Sequence, residues 1–79
     1  MNEKLTVEEF LTKRIKECNG YEDVNLDESF EDNGVDSLEK VEISMEVEKE
    51  FNLEFQDYII YDGMKTVRDW IEYIESEMR

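Results

Sequence analysis

The sequence has no histidine, no proline, a single cysteine and only three glycines, and it sets nine basic residues against 23 acidic ones. Each shortage removes a class of activity. Without histidine, the usual general base near neutral pH and the commonest metal ligand are missing. A lone thiol, Cys18, cannot form an internal disulfide and has no partner for a nucleophilic pair, so it reads as a buried thiol on the apolar face of a helix. The shortage of bases leaves a formal net charge of −14, which repels phosphate backbones and anionic lipid and points to basic partners. No charged start followed by an apolar run marks an export signal, and no stretch approaches the length of a membrane span. A cytoplasmic protein, outside the membrane and not bound to nucleic acid, is expected.

What is present fits one small domain over residues 1–79, burying only roughly 60% of its unfolded surface. Charged residues make up 41% and apolar ones 39%, a composition close to that of a disordered acidic segment. Four Phe, four Tyr and one Trp supply enough buried area to favour a folded chain. The charge is uneven. Residues 1–20 sum to zero, whereas residues 21–62 hold 15 acids against Lys40 and Lys49 alone, so the recognition chemistry is expected there.

Thr6 followed by Glu9 reads as a capping box, and Val7, Phe10, Leu11, Ile15 and Cys18 follow at helical spacing until Asn19-Gly20. Residues 21–35 lack periodicity and read as a long loop anchored by Val24, Leu26 and Phe30. Loops of that length in small domains are more often functional than not. Asp36 with Glu39 starts a second helix expected from Ser37 to Phe51, since neither glycine nor proline interrupts it. Gln56 to Tyr61 reads as one or two helical turns ended by Asp62-Gly63. Thr66 caps a last helix whose apolar face is Val67, Trp70, Ile71, Ile74 and Met78. The expected class is all-α.

On a helical wheel at about 100° per residue, the second helix has two apolar faces. Ile43, Val47 and Phe51 form one stripe. Leu38, Val41 and Met45 lie nearly opposite, flanked by Glu42, Glu48 and Lys49. The second strip is either a second buried side or a docking strip whose apolar residues enter a partner's pockets while the acids meet Lys or Arg.

Ser37 stands at the start of this helix, beside the strip. Gly34-Val35-Asp36-Ser37-Leu38 begins like a nucleophile elbow, but Glu39 occupies the place of the second glycine and no strand precedes it. A calcium loop fails as well. With Gly34 at the sixth position, the first and twelfth are Ser29 and Lys40; with Gly63 there, the first and third are Tyr58 and Ile60. No catalytic or metal site is expected. An accessible hydroxyl at the positive end of a helix suits a substrate of modification, where an attached phosphodiester would lie near helix amides.

The run Gly34-Val35-Asp36-Ser37-Leu38-Glu39-Lys40-Val41-Glu42 resembles the modification site of acyl carrier proteins. The likeness extends through Met45, Glu48-Lys49-Glu50-Phe51-Asn52-Leu53-Glu54-Phe55 and Lys65 to Ile74 in the family's order. It implies a small four-helix bundle with a long loop between helices one and two and a short third helix. It also implies 4'-phosphopantetheine attached to Ser37 by a separate, magnesium-requiring phosphopantetheinyl transferase, and acyl groups carried as thioesters without catalysis by the chain itself. By the same likeness, Asp36, Leu38, Val41, Glu42, Met45 and Glu48 would meet the transferase and the acyl-transfer, condensing and modifying enzymes. Ile43, Val47 and Ile71 would line an interior that shelters the acyl chain of a monomeric carrier. Lys40 departs from the family's neutral or acidic residue, Gln56 from a common Pro, and Tyr58-Ile59-Ile60-Tyr61 from a less bulky third helix in a segment one residue longer than usual. Fatty-acid synthesis is the expected pathway. A specialised polyketide or aminoacyl pathway is the alternative, and an acidic interaction module or nucleic-acid mimic is the alternative of another class.

Overall fold

The computed structural model describes residues 6–55 and 65–78. Within them the chain forms three α-helices, α1 (Val7–Asn19), α2 (Ser37–Phe51) and α3 (Val67–Glu77), with a 3-10 turn at Glu31–Asn33 and no strand. Each α-helix begins at a capping box: Thr6 with Glu9, Asp36 with Glu39, and Thr66 with Asp69. In each box the cap oxygen takes the third helical amide, and the carboxylate reaches back to the cap's own amide. The ends are equally local. Gly20 and Asn52 adopt left-handed conformations, and their amides donate to Lys16 and Glu48 carbonyls. The expected Gln56 to Tyr61 turns lie outside the described residues.

Helix α1 packs directly against both other helices, whereas α2 and α3 approach each other less closely. Leu11 and Ile15 of α1, Ile43 and Val47 of α2, and Trp70 and Ile74 of α3 are all buried in one core. Trp70 is its largest side chain, fully enclosed, with Phe30 at 4.5 Å and Phe55 at 5.0 Å between ring centroids. Two apolar expectations are corrected. Met78 is 52% exposed because α3 ends at Glu77, so the apolar face stops at Ile74. Cys18, at the end of α1, is half-buried rather than buried.

The connection from α1 to α2 is held by a buried asparagine. Asn33 Oδ1 accepts from the Asn25 amide at 2.7 Å, and its Nδ2 donates to the Asn25 and Ser29 carbonyls at 2.9 and 2.8 Å. Asn19, the last residue of α1, donates from Nδ2 to the Asn33 carbonyl at 2.9 Å. Gly34 follows with φ +88°, and a Cβ there would stand 2.8 Å from Asn19 Cβ, so both backbone conformation and space demand glycine. The same connection caps α3, whose Val67 and Arg68 amides donate to the Glu28 and Leu26 carbonyls at 3.0 and 2.8 Å. Those amides have no intrahelical partner at a helix start. Thus one segment ties α3 down and delivers the chain to the start of α2.

Candidate functional site

Ser37 is the first residue of α2 and is exposed. The chain reaches it through Val35, which is buried, while Asp36, Ser37 and Leu38 project outward. Burial of Val35 fixes one side of the turn and the Asp36 cap fixes the other. Asp36 Oδ1 accepts from the Glu39 amide at 2.8 Å, and the Asp36 amide donates to Glu39 Oε1 at 3.2 Å. The capping box leaves the amides of Ser37 and Leu38 at the helix's positive end, beside the Ser37 hydroxyl.

The two faces of α2 are distinct. Ile43 and Val47 are fully enclosed and Ile71 of α3 is 7% exposed, while Leu38 and Met45 are 77% and 55% exposed. Val41 is half-buried at the boundary and Glu42 is exposed. Met45 opens onto a surface groove with Glu42, Glu46 and Lys49. The candidate recognition residues therefore share an outer face that begins at Ser37, and the candidate cavity residues share the core.

The acids along this face differ in what already holds them. Glu46 receives Arg14 of α1, whose Nη2 donates to Oε2 at 3.0 Å, and Arg14 also pairs with Glu17. Burial opposes the Arg14 charge, but the two carboxylates outweigh it and raise the guanidinium's pKa. Glu48 is half-buried and its Oε2 accepts from the Phe55 amide at 2.8 Å. Lys40 lies 3.6 Å from Glu31 of the 3-10 turn, its side chain only 13% exposed. Among the described residues Glu42 and Lys49 have no ion-pair partner. The acidic field is thus most available over Asp36, Glu39 and Glu42 and is partly neutralised toward the C-terminal half of α2. Near Glu39, burial first and then that carboxylate push the Cys18 thiol pKa up, so it stays protonated and a poor nucleophile.

Sequence patterning missed three partners that matter here. Asn33 reads as an ordinary loop polar residue, and the Arg14–Glu46 and Lys40–Glu31 pairs leave no local spacing signal. Among the described residues no three carboxylate or thiol side chains gather to hold a metal ion, and no helix is long and apolar enough to cross a membrane.

A family model described as a phosphopantetheine attachment site matches residues 4–74. The chain is 39% identical over 57 residues to an acyl carrier protein of Exiguobacterium sibiricum, covering 71% of each chain. It is 40% identical over 73 residues to an acyl carrier protein of Rickettsia bellii, covering 89% of this chain and 84% of that one.

Proposed function

Because the chain belongs to the acyl carrier protein family, non-catalytic carriers with a covalently attached 4'-phosphopantetheine, we propose that Ser37 is the attachment point and that the cargo is the acyl intermediates of fatty-acid synthesis. The observation that carries this reading is the exposed Ser37 hydroxyl at the amide-rich start of α2, beside the exposed Leu38 and Met45. The residues present fit the group. A primary hydroxyl open to solvent supplies the ester oxygen, and the Ser37 and Leu38 amides favour the phosphate charge. The neighbouring Asp36 carboxylate repels that charge, but its bond to the Glu39 amide offsets part of the repulsion. The attached group supplies a terminal thiol on a flexible arm, on which acyl groups travel as thioesters.

The rest of the outer face serves enzymes that must reach Ser37. Asp36 and Glu42 attract basic groups of the phosphopantetheinyl transferase and of the acyl-transfer, condensing and modifying enzymes, while Leu38, Val41 and Met45 give the contact its apolar centre. Glu48 contributes its remaining carboxylate oxygen at the far end. Ile43, Val47 and Ile71 are the interior residues against which a sheltered acyl chain would lie. The architecture proposed for the chain is a single-domain four-helix bundle acting as a cytoplasmic monomer, a reading supported by the three described helices and the bacterial relatives.

Mass spectrometry after coexpression with a phosphopantetheinyl transferase tests the site. The expected result is one added phosphopantetheine on Ser37 and none on Ser37→Ala. Equal addition to the variant would move the site elsewhere, and no addition to either would overturn the carrier assignment of this surface.

A further inference from the structure

Trp70 is fully enclosed, yet its indole N–H has no acceptor among the described residues. Phe30 and Phe55 wall the ring, offering carbon surface and no lone pair. A buried donor without a partner is uncommon in a folded protein, because it loses its bond to water and gains nothing in exchange. A phenylalanine would avoid that loss, although its smaller ring would leave part of the indole's space empty. The orphaned donor lies in the same core as Ile43, Val47 and Ile71, and the helices that carry these residues, α2 and α3, are the less closely packed pair. Ser37 stands at the start of α2, the helix that carries Ile43 and Val47 into this core.

We propose that Trp70 Nε1–H is a cargo-recognition donor: it hydrogen-bonds an oxygen on the acyl chain, so the core shelters keto- or hydroxy-acyl groups in preference to saturated ones of the same length. The inference rests on the reading that the interior receives the acyl chain. A saturated chain entering beside Trp70 leaves the donor unpaired and only exchanges one apolar neighbour for another. A chain bearing a carbonyl or hydroxyl brings the missing acceptor. One hydrogen bond formed in place of an orphan corresponds to roughly a tenfold preference for the sheltered state. The Trp70 ring meanwhile limits space, so discrimination comes from polarity at this point rather than from chain length alone.

The test uses the full chain carrying its phosphopantetheine arm, loaded through hydrolysis-resistant amide linkages with octanoyl, β-keto-octanoyl, β-hydroxyoctanoyl and a mid-chain keto-octanoyl group. The indole N–H resonance and its hydrogen exchange are followed by NMR together with the methyls of Ile43, Val47 and Ile71. At least one oxygenated chain is expected to shift the indole proton downfield and slow its exchange roughly tenfold relative to octanoyl. In Trp70→Phe, loading at Ser37 should persist while the core methyls respond equally to saturated and oxygenated chains. Equal indole responses in the wild type would overturn the inference, as would discrimination that survives Trp70→Phe, or a water that remains bonded to the indole after every chain is loaded. If loading succeeds but no chain moves the methyls, the sheltering reading falls and the inference with it. If Ser37 is not loaded, the carrier reading itself fails and removes the basis for both.

Discussion

Replacing Asn33 with alanine removes three short side-chain bonds that organise the α1–α2 connection, at 2.7, 2.9 and 2.8 Å. At about 1 kcal/mol net for each, their loss approaches 3 kcal/mol. The two abandoned carbonyls keep other donors, since the Glu28 amide still reaches Asn25 and the Asn33 amide still reaches Ser29, both at 3.2 Å. The orphan is then the Asn25 amide, in an exposed residue where water can replace the bond, so the expected cost is about 2–3 kcal/mol. For a domain of this size that lowers the melting temperature by about 10–20 °C. Urea titration followed by far-ultraviolet circular dichroism measures the free energy, and a thermal scan measures the shift. Asn33→Asp sharpens the test, because a carboxylate would face the Asn25 and Ser29 carbonyls and its folded pKa would rise above the unfolded value. A group shifted that way contributes fully below its unfolded pKa and loses that contribution as pH rises through its folded pKa, so the variant's deficit should widen over that interval. A change under about 0.5 kcal/mol for Asn33→Ala, the range of an ordinary surface substitution, would refute the view that this side chain holds the connection.

Other perturbations probe the site and its surroundings. Leu38→Glu and Met45→Glu should change stability by less than about 0.5 kcal/mol, as expected of exposed residues, while raising the KM of the transferase. A loss of several kcal/mol in a urea melt would instead put the strip in the core. The Lys40–Glu31 pair should show a coupling of about 0.2–1 kcal/mol in a double-mutant cycle built from Lys40→Met and Glu31→Gln, and purely additive effects would deny the contact. Asp69 accepts backbone bonds from the Lys65 and Thr66 amides, which lower its pKa. Its contribution to the α3 cap is therefore present above the unfolded value and lost as pH falls through the folded one. Wild type should lose its advantage over Asp69→Asn on acidification, as measured by thermal melts across pH, and a constant difference would contradict the assignment.

The helix boundaries were legible because their determinants are local. Thr6, Asp36 and Thr66 each stand three residues before an acid that completes the cap, and Gly20 after Asn19 supplies the left-handed stop of α1, whereas the left-handed stop at Asn52 came only from the structure. The separation of Ile43 and Val47 from Leu38 and Met45 was legible for a related reason. Helical periodicity assigns them to opposite sides, and the structure buries the first pair and exposes the second. Met78 escaped this logic because apolar spacing continues past the point where the helix ends. The periodic pattern also left open whether the second strip was buried, since an apolar side chain carries no mark of what will cover it.

The sequence alone determined the helical class, the capped start of α2, and the motif around Ser37 that aligns the chain with its family, because all of these depend on residues a few positions apart. Tertiary structure decided which polar groups are satisfied. Asn33 became a staple only when Asn25 and Ser29 curled around it, and Gly34 became obligatory when its turn took φ +88° and brought its missing Cβ within 2.8 Å of Asn19 Cβ. Glu46 was drawn from the acidic field by Arg14, 32 positions away, while Trp70 was enclosed by rings that leave its N–H without an acceptor among the described residues. Apolar burial follows from periodicity because it is non-directional. A hydrogen bond requires a particular partner at a particular distance and angle, and only the folded chain brings distant partners together.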